Sequence, residues 1–476
     1  MTMQSNAQGS IRQNEPARSS QVILVVLICS VFHLILFAND VQSGYRTFAW
    51  GDRGEGRVSF LQEFTSTPHT DVIASMVSGR TVPGEYLFVV GPYLAFGKAG
   101  VILFQIALSV ASAAATARLA AELLPFRFSA LVTGLLYTLI PQNLVYPHQL
   151  VTEAIATPLC VGWLYFTYQG LMKNSRGSLI VAGLLLGMAI FVRPSLFAII
   201  LTFPLLALFI RRLRFLLTNK WIYAMLALAA APLLTWTAIF TAYSGHLGFA
   251  NGVATLSWNL RDKARAVELA NDLPPSASLA SDKAGISLRE ARYVDESGGI
   301  SLREFGQIVL QHPVPFLKEF VLDAVVAFGR GNSTKFTVDY LGIEREQKNW
   351  RDGILYDKSS ARDFAKFLKP YIVIEVLTSA LTLALSCVCI IYLVHELFGR
   401  GTGQSEIVRR QRVVFSALSA SLIAHTFLSA QLVGESQGRL RNPAEAAMII
   451  TAGLAYCVFR SRRRLHRRDG SSSHDQ

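Results

Sequence analysis

Long apolar runs, separated by charges that sort by side, leave this chain few ways to fold. About ten hydrophobic stretches punctuate its 476 residues, and a bilayer core of roughly 30 Å takes about 20 residues per helical crossing. Backbone in lipid must satisfy its own hydrogen bonds, so runs of this kind form helices. The expected fold class is an all-α polytopic membrane protein of about ten transmembrane helices. The spans fall near residues 21–38, 99–121, 128–146, 152–172, 178–193, 195–210, 221–243, 370–398, 413–434 and 443–459. The run 179–210 would reach about 48 Å as one helix at 1.5 Å per residue, too long for one crossing, so two short helices parting at Arg193-Pro194 are expected.

Charge then assigns the sides. Arg211, Arg212, Arg214 and Lys220 form one basic cluster, Arg400, Arg409, Arg410 and Arg412 a second, and Arg460, Arg462, Arg463, Arg464, Arg467 and Arg468 a third. Lys and Arg next to spans stay cytoplasmic, which puts both termini in the cytoplasm. The opposite, outer face holds Asp52, Glu55, Asp71, His148, Glu153, Arg193, Glu435, Arg439 and Arg441. The composition, 51% hydrophobic and 16% charged, exceeds the apolar share a soluble domain of this size needs. The net charge of +13 is carried largely by cytoplasmic loops and the tail, where topology and anionic headgroups account for it, so no nucleic-acid partner is expected. All five cysteines, Cys29, Cys160, Cys387, Cys389 and Cys457, sit in apolar stretches, so neither a disulfide nor a thiolate metal site is implied. The apolar run 22–37 ends in Phe37-Ala38-Asn39-Asp40, a poor cleavage site, and reads as a retained first span.

The organisation follows: a cytoplasmic tail (1–20), a membrane core (21–243) with an outer loop at 39–98, an outer subdomain (244–369), C-terminal spans (370–460) and a basic tail (461–476). Within the first loop, residues 72–76 and 86–96 are apolar but too short to span, which predicts interfacial helices. In the larger loop, Ser287-Leu288-Arg289-Glu290 and Ser301-Leu302-Arg303-Glu304 each spell a capping box, and the apolar spacing after the second, interrupted at His312-Pro313, predicts a small helical subdomain.

Among the outer residues, a loop carboxylate is the group that can take a proton from an attacking hydroxyl. Asp52 in Trp50-Gly51-Asp52-Arg53-Gly54-Glu55 is the first choice, with Glu55 and Asp71 as alternatives or as plain solvated carboxylates. Arg193 before Pro194 is a fixed cation suited to a phosphate, or else a snorkelling arginine. Two outer arginines, Arg439 and Arg441, run against the charge tendency, and an anionic substrate supplies the reason; Glu435 lies in the same segment. His148 and Glu153 sit in the outer turn 141–153, where Glu153 also suits a helix N-terminus. His425 reads as a hydrogen-bonded core residue.

In order, these features resemble the GT-C glycosyltransferases that use polyprenyl-phosphate sugars, the class of protein O-mannosyltransferases and of the aminoarabinose transferase of lipid A. The residues that carry the resemblance begin with the acidic first loop and Pro83-Gly84-Glu85-Tyr86 leading to Phe96-Gly97. They continue through the turn 141–153, Gly183 and Gly187 before Arg193-Pro194, His312-Pro313, and Gln437-Gly438-Arg439-Leu440-Arg441-Asn442-Pro443, where related enzymes read Arg-Tyr-Arg. The resemblance implies inverting transfer from a polyprenyl-phosphate sugar donor to a glycan or glycolipid acceptor, with an outer-loop carboxylate as base. A divalent cation takes part in only some members, and no metal ligands are assigned here. It further implies a periplasmic active site in a bacterial inner membrane. A polymerase or ligase acting on diphosphate-linked oligosaccharide is the neighbouring reading. A transporter or flippase is the reading from another class, although the charges sit at the rim instead of the midplane and the halves do not repeat.

Overall fold

The computed structural model describes residues 15–49, 57–59, 61–62, 84–244, 260–261, 263–264, 267–268, 271, 301–329, 340, 370–399, 405–432 and 438–471. Within these, the side chains of 15–17, 302, 370–373, 375, 430–432, 438–440 and 461–471 are left aside. The described residues are helical or in turns: α1 (Glu15–Gln42), α2 (Gly84–Leu123), α3 (Ser129–Leu139), α4 (Pro141–Val145), α5 (Glu153–Lys173), α6 (Arg176–Val192), α7 (Phe197–Phe209) and α8 (Lys220–Ser244), followed by α9 (Leu302–Gln311), α10 (Pro313–Gly329), α11 (Pro370–Phe398), α12 (Glu406–Leu432) and α13 (Glu445–Ser471). Short 3-10 turns at Tyr146–His148, Pro194–Leu196, Arg211–Leu216 and Gly438–Ala444 join several of them.

Six of these helices, α1, α2, α8, α11, α12 and α13, are long and apolar enough to cross a membrane. Their surfaces agree with that reading. On α1, Ile23, Leu27, Leu34 and Ile35 are exposed while Val25, Cys29, His33 and Asp40 are buried, one apolar face outward and one stripe inward. Exposed apolar faces of this extent recur on α8 and α11, which suits lipid and not water. The other four expected spans differ for physical reasons. Helices α3, α6 and α7 are shorter than the about 20 residues a crossing takes. Helix α5 is long enough but is buried along most of its length among its neighbours, so it tolerates Thr157, Thr167 and Gln169 inside.

Two breaks shape the core. The chain leaves the helix at Arg193, whose extended backbone (φ −141°, ψ 92°) is what a residue before proline prefers, and resumes as α7. Helix α2 breaks at Phe96 and Gly97, where Gly97 takes φ +60°, a conformation that favours glycine, and this separates residues 84–95 from the membrane-length remainder. Helices α5, α6 and α8 pack side by side. Gly183 and Gly187 permit the closest approach: a Cβ at either would press on the Met225 or Leu228 carbonyl of α8, the small-residue packing common between membrane helices.

Outside this core, Ser301 and Glu304 form both bonds of a capping box at the start of α9. The Ser287 box lies outside the described residues. Phe316 and Ile308 pack with Leu260, Ala264 and Val267 in a small separate core. Helix α10 in turn packs on α11 and α12, which ties this segment to the membrane helices.

Candidate active site

Ionisable side chains from sequence-distant elements gather at one end of the bundle. The first group is built on the inward stripe of α1. His33 and Asp40 are seven residues apart, two helical turns, and so face the same way. Both are fully buried, as is His148 at the end of the turn Tyr146–His148. His148 Nδ1 lies 2.6 Å from Asp40 Oδ2. A carboxylate only accepts, so Nδ1 carries the hydrogen. That leaves His148 Nε2 to accept from His33 Nδ1 at 3.1 Å, and His33 Nε2 to accept from the Ser109 hydroxyl, also at 3.1 Å. The two rings stack with centroids 5.3 Å apart. Every donor in the row Ser109, His33, His148 points toward Asp40. The other carboxylate oxygen accepts from Thr47 at 2.8 Å and from the Tyr340 hydroxyl at 3.2 Å. Asp40 thus ties α1, the turn before α5 and the large loop to one buried anion. The backbone supports it: the N–H of Tyr45 bonds to the Asp40 carbonyl, and that of Leu150 to the Phe48 carbonyl.

The second group alternates in sign. Glu153 opens α5, and Arg193 reaches it from the end of α6 at 3.3 Å. Glu85, the second residue of α2, accepts from Arg57 at 3.5 Å, while Arg57 also donates to the Leu150 carbonyl at 3.0 Å. Arg57 and Glu153 act on each other electrostatically, which joins the two pairs. Glycine makes the convergence possible. A Cβ on Gly84 would collide with the Phe191 carbonyl, so only glycine lets the start of α2 lie against the end of α6. Glu85 keeps one buried carboxylate oxygen, Oε1, without a hydrogen-bond partner.

The third group is at the start of α13. Arg441, 1% exposed, donates to the Ala327 and Phe328 carbonyls at 3.0 and 3.1 Å and to Glu445 at 3.2 Å. It therefore satisfies carbonyls that the end of α10 leaves unpaired. Asn442 donates to Thr157 of α5 at 3.3 Å. One α-helical turn from the α6 break, His425 of α12 bonds through Nδ1 to the Ser195 carbonyl at 3.1 Å.

The opposite end of the bundle is basic and more open. Arg212 donates to the Glu396 carbonyl at 3.0 Å and to that of Gly399. Arg176 lies over Trp221 at 5.2 Å, and Arg410 over Phe215 at 4.9 Å.

Of the residues expected from sequence, the structure brings His148, Glu153, Arg193 and Arg441 to the same end. Asp52, Glu55, Asp71 and Glu435 lie outside the described residues, and Arg439 is described only in its backbone, within the turn Gly438–Ala444. Among the described residues no group of three His, Cys, Asp or Glu side chains is placed to hold a metal ion. His33 and Asp40, the centre of the first group, were missed. The available signal was a histidine inside an apolar span with an aspartate two turns further along the same face, since ionisable groups in spans are costly and are retained for a reason.

Residues 86–238, about a third of the chain, match the model of a family described as Dolichyl-phosphate-mannose-protein mannosyltransferase. The matched stretch runs from α2 into α8 and contains His148, Glu153 and Arg193. No curated protein and no solved structure matches the chain.

Proposed function

We propose that the protein is a membrane glycosyltransferase that moves a sugar from a polyprenyl-phosphate carrier to a hydroxyl of a lipid-linked glycan, lipopolysaccharide or exopolysaccharide precursor. The observation that carries this reading is the coincidence of two facts. The stretch matched to the mannosyltransferase family supplies His148, Glu153 and Arg193, and the fold gathers those residues with Asp40, Glu85 and Arg441 at the end of the bundle away from the basic clusters. By the positive-inside tendency that end is the outer, periplasmic face of an inner membrane, and both termini are cytoplasmic.

In the proposed reaction the acceptor oxygen attacks the anomeric carbon and its proton passes to a carboxylate of the first loop, Asp52, with Glu55 or Asp71 as substitute. The bond between that carbon and the phosphate oxygen breaks with inversion, and the polyprenyl phosphate leaves with one more negative charge. Arg193 and Arg439 offset that charge, as a preorganised cation does in a water-poor site. Asp40 has both oxygens occupied by three donors, so its part is to hold the first loop, His148 and Tyr340 in register. Arg441, bound to α10 and Glu445, fixes the outer subdomain over the site.

The test is transfer of radiolabelled sugar from a panel of polyprenyl-phosphate donors in membranes carrying matched amounts of wild type, Asp52→Asn or Arg193→Ala. Labelled glycan with the wild type, lost in both variants, is expected. Label that persists in Asp52→Asn moves the base to Glu55 or Asp71. No transfer from any donor in the presence of native acceptor membranes sinks the monophosphate-donor reading and favours the diphosphate-linked polymerase or the transporter.

A further inference from the structure

Next to Arg193 the structure leaves polar atoms buried and unused. His425 is fully buried, and its Nδ1 faces the Ser195 carbonyl at 3.1 Å. A carbonyl only accepts, so Nδ1 carries the hydrogen, and Ser429 Oγ lies 3.2 Å from the same nitrogen. In the neutral ring the lone pair is then on Nε2, and this atom has no hydrogen-bond partner. The hydroxyl of Ser195, the residue whose backbone orients the ring, is also buried without a partner. Buried polar groups are nearly always paired, because leaving one unpaired costs about 1–3 kcal/mol. Two such atoms side by side, on facing elements, mark a place where a ligand group belongs. The site is not sealed: the Arg193 side chain, close enough for its charge to act on the His425 ring, keeps 11% of its surface exposed.

The chemistry of the vacancies selects the ligand. Nε2 is an acceptor and calls for a donor, which a phosphate diester does not offer. A hydroxyl both gives a hydrogen to Nε2 and accepts one from Ser195 Oγ, and a sugar carries several beside its phosphate. Resting on the transferase reading above, we propose that His425 and Ser195 form a specificity subsite that reads one ring hydroxyl of the transferred sugar, beside the arginine that holds its phosphate. A site built to bond a hydroxyl rejects an analogue lacking it far more strongly than an apolar pocket does, since its own buried groups are left unpaired.

The experiment pairs protein and substrate deletions. The polyprenyl-phosphate hexose active in the donor panel and each of its monodeoxy analogues are assayed for kcat/KM with wild type, His425→Gln, His425→Phe and Ser195→Ala. Thermal unfolding in detergent confirms that each variant is folded. With the wild type, one deoxy analogue is expected to lose about a hundredfold or more. With His425→Phe that penalty should fall to about tenfold or less, because the group that sensed the hydroxyl is gone, while penalties at the other positions stay as they were. Ser195→Ala should shrink the same penalty and no other. A His425→Phe variant that transfers with every deoxy penalty unchanged overturns the subsite and makes the ring a core group beside a buried water. Absence of transfer by the wild type overturns the transferase reading itself, and the subsite with it. Should His425→Phe fail to fold, Ser195→Ala decides alone, and unchanged penalties there are equally fatal.

Discussion

The two ends of the helix bundle use the same kinds of residue in opposite ways. At the basic end, arginines cap helix carbonyls or lie over rings: Arg212 on Glu396 and Gly399, Arg176 over Trp221, Arg410 over Phe215. Such contacts keep charged heads near water and cost little to make. At the other end Asp40, Glu85, Glu153, Arg441 and Glu445 are all nearly or fully buried, each tied to a partner from elsewhere in the fold or from the next helical turn. Burying an ion costs several kcal/mol even when it is paired. A fold that only needed stability would fill that end with apolar side chains. The contrast teaches that one end sets orientation, whereas the other holds charge in place for chemistry.

Substitutions should reproduce that asymmetry. The largest effect is expected from Arg441→Ala, which leaves Glu445 buried without its cation and two α10 carbonyls without a donor. A loss of about 3–5 kcal/mol is the usual cost of breaking a buried pair from one side. Thermal or denaturant unfolding of the detergent-purified protein measures it, and a change below about 1 kcal/mol would place Arg441 with the inexpensive arginines of the opposite end.

Asp40 divides charge from hydrogen bonding. Asp40→Ala removes the acceptor for His148, Thr47 and Tyr340, and should cost about 3 kcal/mol as three donors lose their partner. Asp40→Asn keeps an acceptor for His148, while the hydroxyls of Thr47 and Tyr340 can turn to accept from its amide, so about 1 kcal/mol is expected. Equal losses would mean that the negative charge, not the bond pattern, holds the loops. In a transfer assay both variants should fall further than their stability loss explains, because the first loop is registered through this residue.

The smallest effect belongs to the basic end. Arg410→Ala removes a cation from over Phe215 and should cost no more than about 0.5–1 kcal/mol, with sugar transfer unchanged. A large loss of transfer there would break the division between the ends.

Much of this was legible before any coordinates. The proline after Arg193 foretells the helix break, the Ser301–Glu304 box foretells the start of α9, and the segregation of arginines foretells a two-sided bundle. These are local or additive properties, readable from neighbours in sequence. The pairings were not. Sequence marks Glu153 as suited to a helix N-terminus and Arg193 as a lone cation, yet they meet because α5 and α6 run side by side, which the glycines of α6 also allow against α8. His425 reads as an ordinary core histidine until its Nδ1 is found on the Ser195 carbonyl and its Nε2 on nothing.

By itself, then, the sequence determined that the chain is helical and membrane-bound, where its helices break, and which face carries its cations, because hydropathy, proline geometry and the positive-inside tendency act over a few residues at a time. Tertiary structure alone decided which charges neutralise one another and which polar atoms remain unspent. Asp40 and His148 are 108 positions apart, and His425 and Ser195 are 230 apart. Contacts over such separations depend on how whole helices pack, and a hydrogen bond is made or lost within an ångström.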